Sequence, residues 1–187
     1  KTKNAWLICV LDECQAKGDK EGVGIRNLVS DVLDADEEAS IFLVNNGSSD
    51  NTPDVLQELA IAFPQVTVLD QPVRGKAMAE RTGFQVILEN QSVVNVLLTM
   101  DADGEHDVRD MLKICQEQVV RRPAFVVGSR FFNSGKRNQK DEILRGFLVR
   151  LFGDFLVPDD PRCGGRAYDP EFLRGVINKT VARNYGL

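Results

Sequence analysis

Histidine and tryptophan each occur once in these 187 residues, and tyrosine twice. The four cysteines, Cys9, Cys14, Cys115 and Cys163, form no CxxC pair and no zinc-ligand spacing. A zinc-built module is thereby excluded. Disulfide staples are not needed either, because a domain of this size buries roughly 70% of its unfolded-chain surface. Free thiols point to a reducing compartment, so a cytoplasmic location is expected. No signal-peptide pattern is present, and no apolar run approaches the roughly 20 residues of a membrane span. The chain lacks the Walker A pattern, and no Gly-x-Gly-x-x-Gly follows its first apolar run. Both absences argue against a P-loop NTPase and a dinucleotide-binding Rossmann enzyme. Internal repeats and low-complexity stretches are missing as well. With 43% hydrophobic and 27% charged residues, the composition is that of one ordinary globular domain over residues 1–187.

The net charge of −5 argues against general nucleic-acid binding, but its distribution says more. Residues 1–108 carry 8 Lys and Arg against 19 Asp and Glu, whereas residues 109–187 carry 15 against 9. An acidic half followed by a basic half suggests that the second half meets an anion. The alternative is an idle drift of surface charge.

Apolar runs alternate with helical periodicity along most of the chain. Trp6–Leu11, Ile41–Val44, Val66–Leu69, Val93–Met100 and Phe125–Val127 read as strands. Ile25, Leu28, Val29, Val32 and Leu33 lie at helical spacing. Thr52 followed by Pro53 reads as an N-cap and first turn, with Val55, Leu56, Leu59 and Phe63 behind it. A further helix is expected from Ala77 to Leu88. Asp107 caps another, with Val108, Met111, Leu112, Cys115 and Val119 as its apolar face. This alternation predicts an α/β domain with a largely parallel sheet, whose ligands sit at the carboxyl ends of strands. Residues 158–165, rich in Pro, Asp and Gly, should be irregular.

The strongest chemical signal is Asp101-Ala102-Asp103 at the end of an apolar strand. Two such carboxylates suit a hard divalent cation shared with phosphate oxygens, and Glu105 would be a third ligand. Aspartates also simply end strands and cap helices. His106 is either a ligand or an orienting hydrogen-bond partner, and the second is the commoner role. Asn45 to Thr52 is a turn-rich loop whose amides could hold a nucleobase or ribose, although such residues are also generic turn formers. Arg74-Gly75-Lys76 before a helix suits a pyrophosphate. Arg130, Lys136, Arg137, Arg145, Arg150, Arg162 and Arg166 supply the basic half, and two or three of these would bind an anion.

Taken together, five segments resemble family 2 glycosyltransferases of the GT-A fold. They are Asn45 to Thr52, Gly75-Lys76-Ala77 with Thr82-Gly83-Phe84, Met100 to His106, Val127-Gly128-Ser129-Arg130, and Asp160 to Tyr168. Their order is that of the family, and the set is most similar to the dolichyl-phosphate mannose synthase and polyprenyl-phosphate sugar transferase branch. The resemblance implies a metal-dependent inverting transfer from a nucleotide-diphosphate sugar, GDP-mannose or a UDP-sugar, to an acceptor such as a polyprenyl or dolichyl phosphate. It implies that Asn45, Asn46, Ser48, Asp50, Lys76, Asp101, Ala102 and Asp103 face the donor. It places Mn²⁺ or Mg²⁺ on Asp101, Asp103 and Glu105. Arg130, Arg145, Arg162 and Arg166 would hold acceptor or phosphate. Asp103 and Asp160 would be catalytic, with Asp160 as the base if the acceptor were a hydroxyl. Asn45-Asn46 stands where the family has paired aspartates, Glu105 where it has Gln, and Gly165 where it has Phe. The Asn45-Asn46 departure touches the base pocket and leaves the donor base open, while Gly165 would loosen the acceptor loop.

Residues 143–157 fit an apolar helix with interspersed Arg145 and Arg150. It would lie on a membrane surface, or pack on the core or a second copy of the chain. The chain ends soon after Tyr168, where family members often continue. Two other readings are kept: a silent nucleotide-binding domain of the same fold, and a haloacid-dehalogenase-like phosphatase using Asp101 and Asp103.

Overall fold

Strands buried on both faces need near-continuous apolar sequence, and the chain's most apolar runs form the centre of its sheet. The computed structural model describes residues 3–16, 22–90, 94–129, 160 and 163–181. The strands are β1 (Lys3–Val10), β2 (Ser40–Asn45), β3 (Val66–Asp70), β4 (Val94–Asp101), β5 (Phe125–Val127) and β6 (Arg166–Tyr168). Their order across the sheet is β3-β2-β1-β4-β6-β5. The pairs among β1 to β4 are parallel, while β6 runs antiparallel to both β4 and β5. The helices are α1 (Glu13–Ala16), α2 (Val23–Ala35), α3 (Thr52–Ala62), α4 (Lys76–Asn90), α5 (Val108–Arg121) and α6 (Pro170–Val181). This is the expected α/β domain with a mostly parallel sheet.

Side chains alternate across the sheet and so build two cores. Trp6, Ile8, Val10, Ile41 and Leu43 pack with Ile25, Leu28, Val29 and Val32 of α2, Val55, Leu56 and Leu59 of α3, and Met111 and Cys115 of α5. Ala5, Leu7, Phe42 and Val44 pack on the other face with Ala79 and Ile87 of α4 and Leu173 of α6. Helix α4 lies very close to β1. A β-carbon on Gly83 would come within 2.2 Å of Leu7 Cδ1, so only glycine permits this approach. All four cysteines are free thiols.

Two local expectations are corrected. Thr52 is the first residue of α3, not its cap. Asn51 holds the cap position, and the Thr52 hydroxyl instead accepts the Cys14 backbone N–H at 3.3 Å. Val119 is 45% exposed, while Gln118 is buried and donates to the Pro123 carbonyl at 2.7 Å. Spacing by three and four residues from Met111 through Cys115 brings 118, not 119, to the core. Strand β6 follows directly on the segment expected to be irregular. Asp107 does cap α5, accepting the Arg109 N–H at 2.7 Å. Arg130, Arg145, Arg162 and the 143–157 segment lie outside the described residues.

β1 is where the strand order reverses, with β2 on one side and β4 on the other. Open α/β sheets place ligands at the carboxyl end of such a switch point. Cys9 at the end of β1 is in register with Asp101 at the end of β4.

Candidate functional site

Asp101 ends a strand that is buried from Val96 to Met100, and its side chain stays 29% exposed at the switch point. The Lys76 ammonium, from the first residue of α4, contacts Oδ1. His106 Nε2 lies 3.6 Å from Oδ2, and the imidazole is only 11% exposed. His106 is therefore a packed neighbour of the carboxylate, in keeping with an orienting role. The imidazole, and then the ammonium, hold the Asp101 carboxyl down to about 2, against burial, which acts the other way. Asp101 is thus a carboxylate at any physiological pH.

The turn at residues 163–165 closes over the same carboxylate. A β-carbon on Gly164 would stand 2.1 Å from Asp101 Oδ2. Thr99 Oγ1 donates to the Gly164 carbonyl at 3.0 Å in a buried hydrogen bond. Gly128 N–H donates to the Gly165 carbonyl at 2.9 Å. Arg166 donates from Nε to the Cys163 carbonyl at 3.0 Å and from Nη1 to the Tyr168 hydroxyl at 3.4 Å. The guanidinium expected to meet phosphate is therefore also a brace for this turn. Asp160 is 1% exposed, and its carbonyl accepts the Cys163 N–H at 3.2 Å.

On the other side of Asp101, the loop after β2 is tied to itself and to its neighbours. Asn45 donates to Asp70 Oδ1 at 2.9 Å and accepts the Ser48 N–H at 3.1 Å. Asn46 accepts the Gly75 N–H at 2.8 Å, which joins this loop to the start of α4. The Ser48 hydroxyl accepts the Asp12 N–H at 3.1 Å, and Asp50 accepts the Thr52 N–H at 2.9 Å. Asp12 accepts the Ser49 N–H at 2.6 Å and pairs with Arg74 at 2.9 Å. The Ser49 N–H foremost, then its hydroxyl and the Arg74 guanidinium, hold Asp12 below the usual carboxylate range. Asn45, Asn46, Ser48 and Asp50 thus shape the crevice wall, whatever else they touch. Ala102 is buried in the core at 7% exposure, so only its backbone can face a ligand.

Sequence reasoning did not single out Asp70, Glu80 or Thr99. Thr99 sits inside an apolar run, and Asp70 and Glu80 resemble ordinary surface acids. Glu80, one turn along α4 from Lys76, is half-buried. Burial raises its carboxyl, opposed by the Lys76 ammonium and the Arg166 guanidinium. Burial likewise pushes the Cys9 thiol up to about 12, away from the thiolate form.

Asp101 and Asp103 offer hard oxygen donors of the kind Mg²⁺ and Mn²⁺ share with phosphates. Among the described residues, no three His, Cys, Asp or Glu side chains converge on a point where a cation would sit. Asp103 Oδ1 accepts the Glu105 N–H at 2.9 Å. Glu105 lines a cleft of about 730 Å³ toward α2, whose walls include neither Asp101 nor Asp103. A cation here would have at most these two carboxylates from the described residues.

Residues 20–166 match the family described as Glycosyl transferase family 2. The chain is 33% identical over 155 residues to a dolichyl-phosphate beta-glucosyltransferase of Trichomonas vaginalis, covering 76% of this chain and 44% of that protein. It is 25% identical over 180 residues to a UDP-N-acetylglucosamine–dolichyl-phosphate N-acetylglucosaminyltransferase of Methanococcus voltae, covering 86% of this chain and 70% of that protein. Among solved structures, it resembles the mannosyltransferase PcManGT of Pyrobaculum calidifontis, solved with GDP-Man and Mn²⁺. That match has a TM-score of 0.60 and 16% identity, over 94% of this chain and 47% of that one. It also resembles a 4-diphosphocytidyl-2C-methyl-D-erythritol synthase of Anaerococcus prevotii, with a TM-score of 0.61 and 14% identity, over all of this chain and 80% of that one. The chain thus spans under half the length of the Trichomonas protein and of PcManGT. A fold shared with that synthase does not decide chemistry; the sequence match does decide the family. The phosphatase reading falls with it, since that motif opens its fold, whereas Asp101 here ends the fourth strand. GT-A is the fold, and the chain belongs to glycosyl transferase family 2.

Proposed function

We propose that this chain transfers a sugar from a nucleoside-diphosphate sugar to a polyprenyl-type lipid phosphate, with inversion at the sugar C1. The observation that carries this reading is the convergence of Asp101, Lys76 and the Asn45–Asn46 loop on one strand-end crevice. The relatives' names add the acceptor class. Two relatives are named for dolichyl phosphate while differing in the sugar, which supports the acceptor class and leaves the sugar open.

The donor diphosphate would lie between Lys76 at the start of α4 and Asp101 with Asp103. Backbone N–H groups of the first turn of α4 and the Lys76 ammonium favour a diphosphate there. Asp101 and Asp103 would hold Mn²⁺ or Mg²⁺, which would neutralise the departing nucleoside diphosphate. A lipid phosphate is already ionised, so its attack needs no general base. The burial of Asp160 agrees with that economy: its carboxyl would serve a structural role rather than abstract a proton. Arg166 would present positive charge to the acceptor from the same turn.

No helix among the described residues is long and apolar enough to cross a membrane. A lipid acceptor would nevertheless bring the chain to a membrane surface, and residues 143–157 would be the contact.

The test is transfer of labelled sugar from UDP-glucose, UDP-N-acetylglucosamine and GDP-mannose to a polyprenyl phosphate in detergent, with Mn²⁺ or Mg²⁺. A labelled lipid-phosphate sugar is the expected product. Cation-dependent nucleotide binding without transfer from any donor would establish the silent domain instead.

A further inference from the structure

The Asp101 carboxylate is already occupied on both sides. Oδ2 faces His106 at 3.6 Å and is covered by the 163–165 turn, where even one added carbon at Gly164 would lie 2.1 Å away. The Gly164 carbonyl is fixed there by Thr99, so this side of the carboxylate does not open without breaking a buried hydrogen bond. Oδ1 lies further from the turn, 2.8 Å from the same added carbon, and the Lys76 ammonium sits on it. A divalent cation reaching Asp101 would therefore meet Lys76 first.

Two features make this contact exchangeable. Lys76 is half-exposed, and ion pairs that solvent reaches are weak. Its four-carbon stem starts at the first residue of α4, so the ammonium can swing toward a ligand at that helix end without backbone movement. Two further features disfavour a cation arriving alone. No third His, Cys, Asp or Glu joins Asp101 and Asp103 among the described residues. The ammonium would also repel an incoming cation at contact range.

We propose that Lys76 is a resident counter-ion, competing with a divalent cation for Asp101, and that the donor diphosphate draws it away so that cation and nucleotide bind as a coupled pair. This rests on the donor-site reading above and adds an order to it. The diphosphate takes the ammonium, Oδ1 is released, and the charge Lys76 supplied is replaced. Linkage makes the effect reciprocal: the nucleotide raises cation affinity by the factor by which the cation raises nucleotide affinity.

The experiment measures Mn²⁺ binding from the loss of the free-ion electron paramagnetic resonance signal, without nucleotide and with UDP or GDP. The proteins are the unchanged chain, Lys76→Met, Arg74→Met and the double variant Lys76→Met/Asp101→Asn. Lys76→Met should bind Mn²⁺ alone at least about 5-fold tighter than the unchanged chain, the lower end of usual coupling factors. Arg74→Met removes the same charge from a contact with Asp12 and should not reproduce the gain. The double variant should lose it. In the unchanged chain UDP or GDP should tighten Mn²⁺ binding, and in Lys76→Met that tightening should shrink. Equal Mn²⁺ affinity in the unchanged chain and Lys76→Met overturns the proposal, as does an equal gain in Arg74→Met. Failure of the donor-site reading looks different: neither nucleotide binds, with or without Mn²⁺, while the comparison with Mn²⁺ alone still decides the competition.

Discussion

Gly164 and Asp101, 63 positions apart in sequence, are packed so closely that a β-carbon on the glycine would lie 2.1 Å from the carboxylate Oδ2 and 2.6 Å from its Cγ. The turn at residues 163–165 and the carboxylate that ends β4 are thus one unit. Gly164→Ala must push either the turn or the carboxylate away. Overpacking of this kind destabilises by about 1–3 kcal/mol. A displaced catalytic group costs on the order of 100-fold in turnover for 1 Å. Sugar transfer should fall by about that factor while circular dichroism shows a folded chain. Unchanged turnover would mean that the turn yields freely and does not position Asp101.

Under the donor-site proposal, Asp103 would serve metal binding without serving the fold. Its Oδ1 accepts the Glu105 N–H at 2.9 Å, a role that the amide oxygen of asparagine can also fill. Asp103→Asn should therefore change stability by less than about 1 kcal/mol while abolishing the Mn²⁺ dependence of nucleotide binding. Calorimetric titration with UDP and GDP, each with and without Mn²⁺, reads the second effect, and thermal unfolding reads the first. Intact Mn²⁺-dependent affinity in Asp103→Asn would remove Asp103 from the donor site.

Asp101 also sets an acid limit. Its carboxyl is held down to about 2, first by the His106 imidazole and then by the Lys76 ammonium. An unfolded-chain aspartate titrates at roughly 4. A pKa lowered by folding means that the unfolded chain binds the proton more readily. The stabilisation is present above pH 4 and is lost as pH falls from 4 toward 2; between pH 5 and 8 this group contributes no slope. Asp101→Asn should accordingly show a shallower fall in unfolding temperature across pH 4 to 2 than the unchanged chain. Parallel curves would show that the carboxylate is not held by these neighbours in solution.

The central strands were legible because burial on both faces forces long apolar runs, and β1, β2 and β4 are such runs. Asp101 was legible for the same reason: a carboxylate that ends a buried strand has few places to be. β6 was not, since its three residues, Arg166, Ala167 and Tyr168, include only one fully buried side chain, and it exists because β4 and β5 accept it on either side. Nor was the double use of Asn45 and Asn46, whose amides tie the crevice wall to Asp70 and Gly75. An asparagine in a turn reads the same whether it holds a ligand or the loop itself. The Lys76–Asp101 contact escaped for a different reason. Both residues were expected at the donor, but a sequence does not show that they meet each other.

The glycine in Thr82-Gly83-Phe84 has a structural explanation that can be tested without any ligand. Its absent side chain lets α4 lie against β1, where an added β-carbon would stand 2.2 Å from Leu7 Cδ1 and 2.9 Å from Cδ2. Leu7 is buried at 1% exposure and cannot swing out to solvent. Gly83→Ala would gain helix propensity of roughly 1 kcal/mol, so a stabilised variant would show that the helix shifts at no cost. The contact predicts the opposite sign, a net loss of about 1–3 kcal/mol. Leu7→Ala removes the atoms in the way and by itself should cost about 2–5 kcal/mol. In that background Gly83→Ala should become neutral or stabilising, since the new methyl enters the space that Leu7 vacated. Denaturant unfolding of the four proteins gives the coupling energy directly. A coupling near zero would mean that α4 is not seated on Leu7. Because Lys76 stands at the start of the same helix, a reseated α4 should also weaken nucleotide binding in Gly83→Ala, with no residue at the crevice changed.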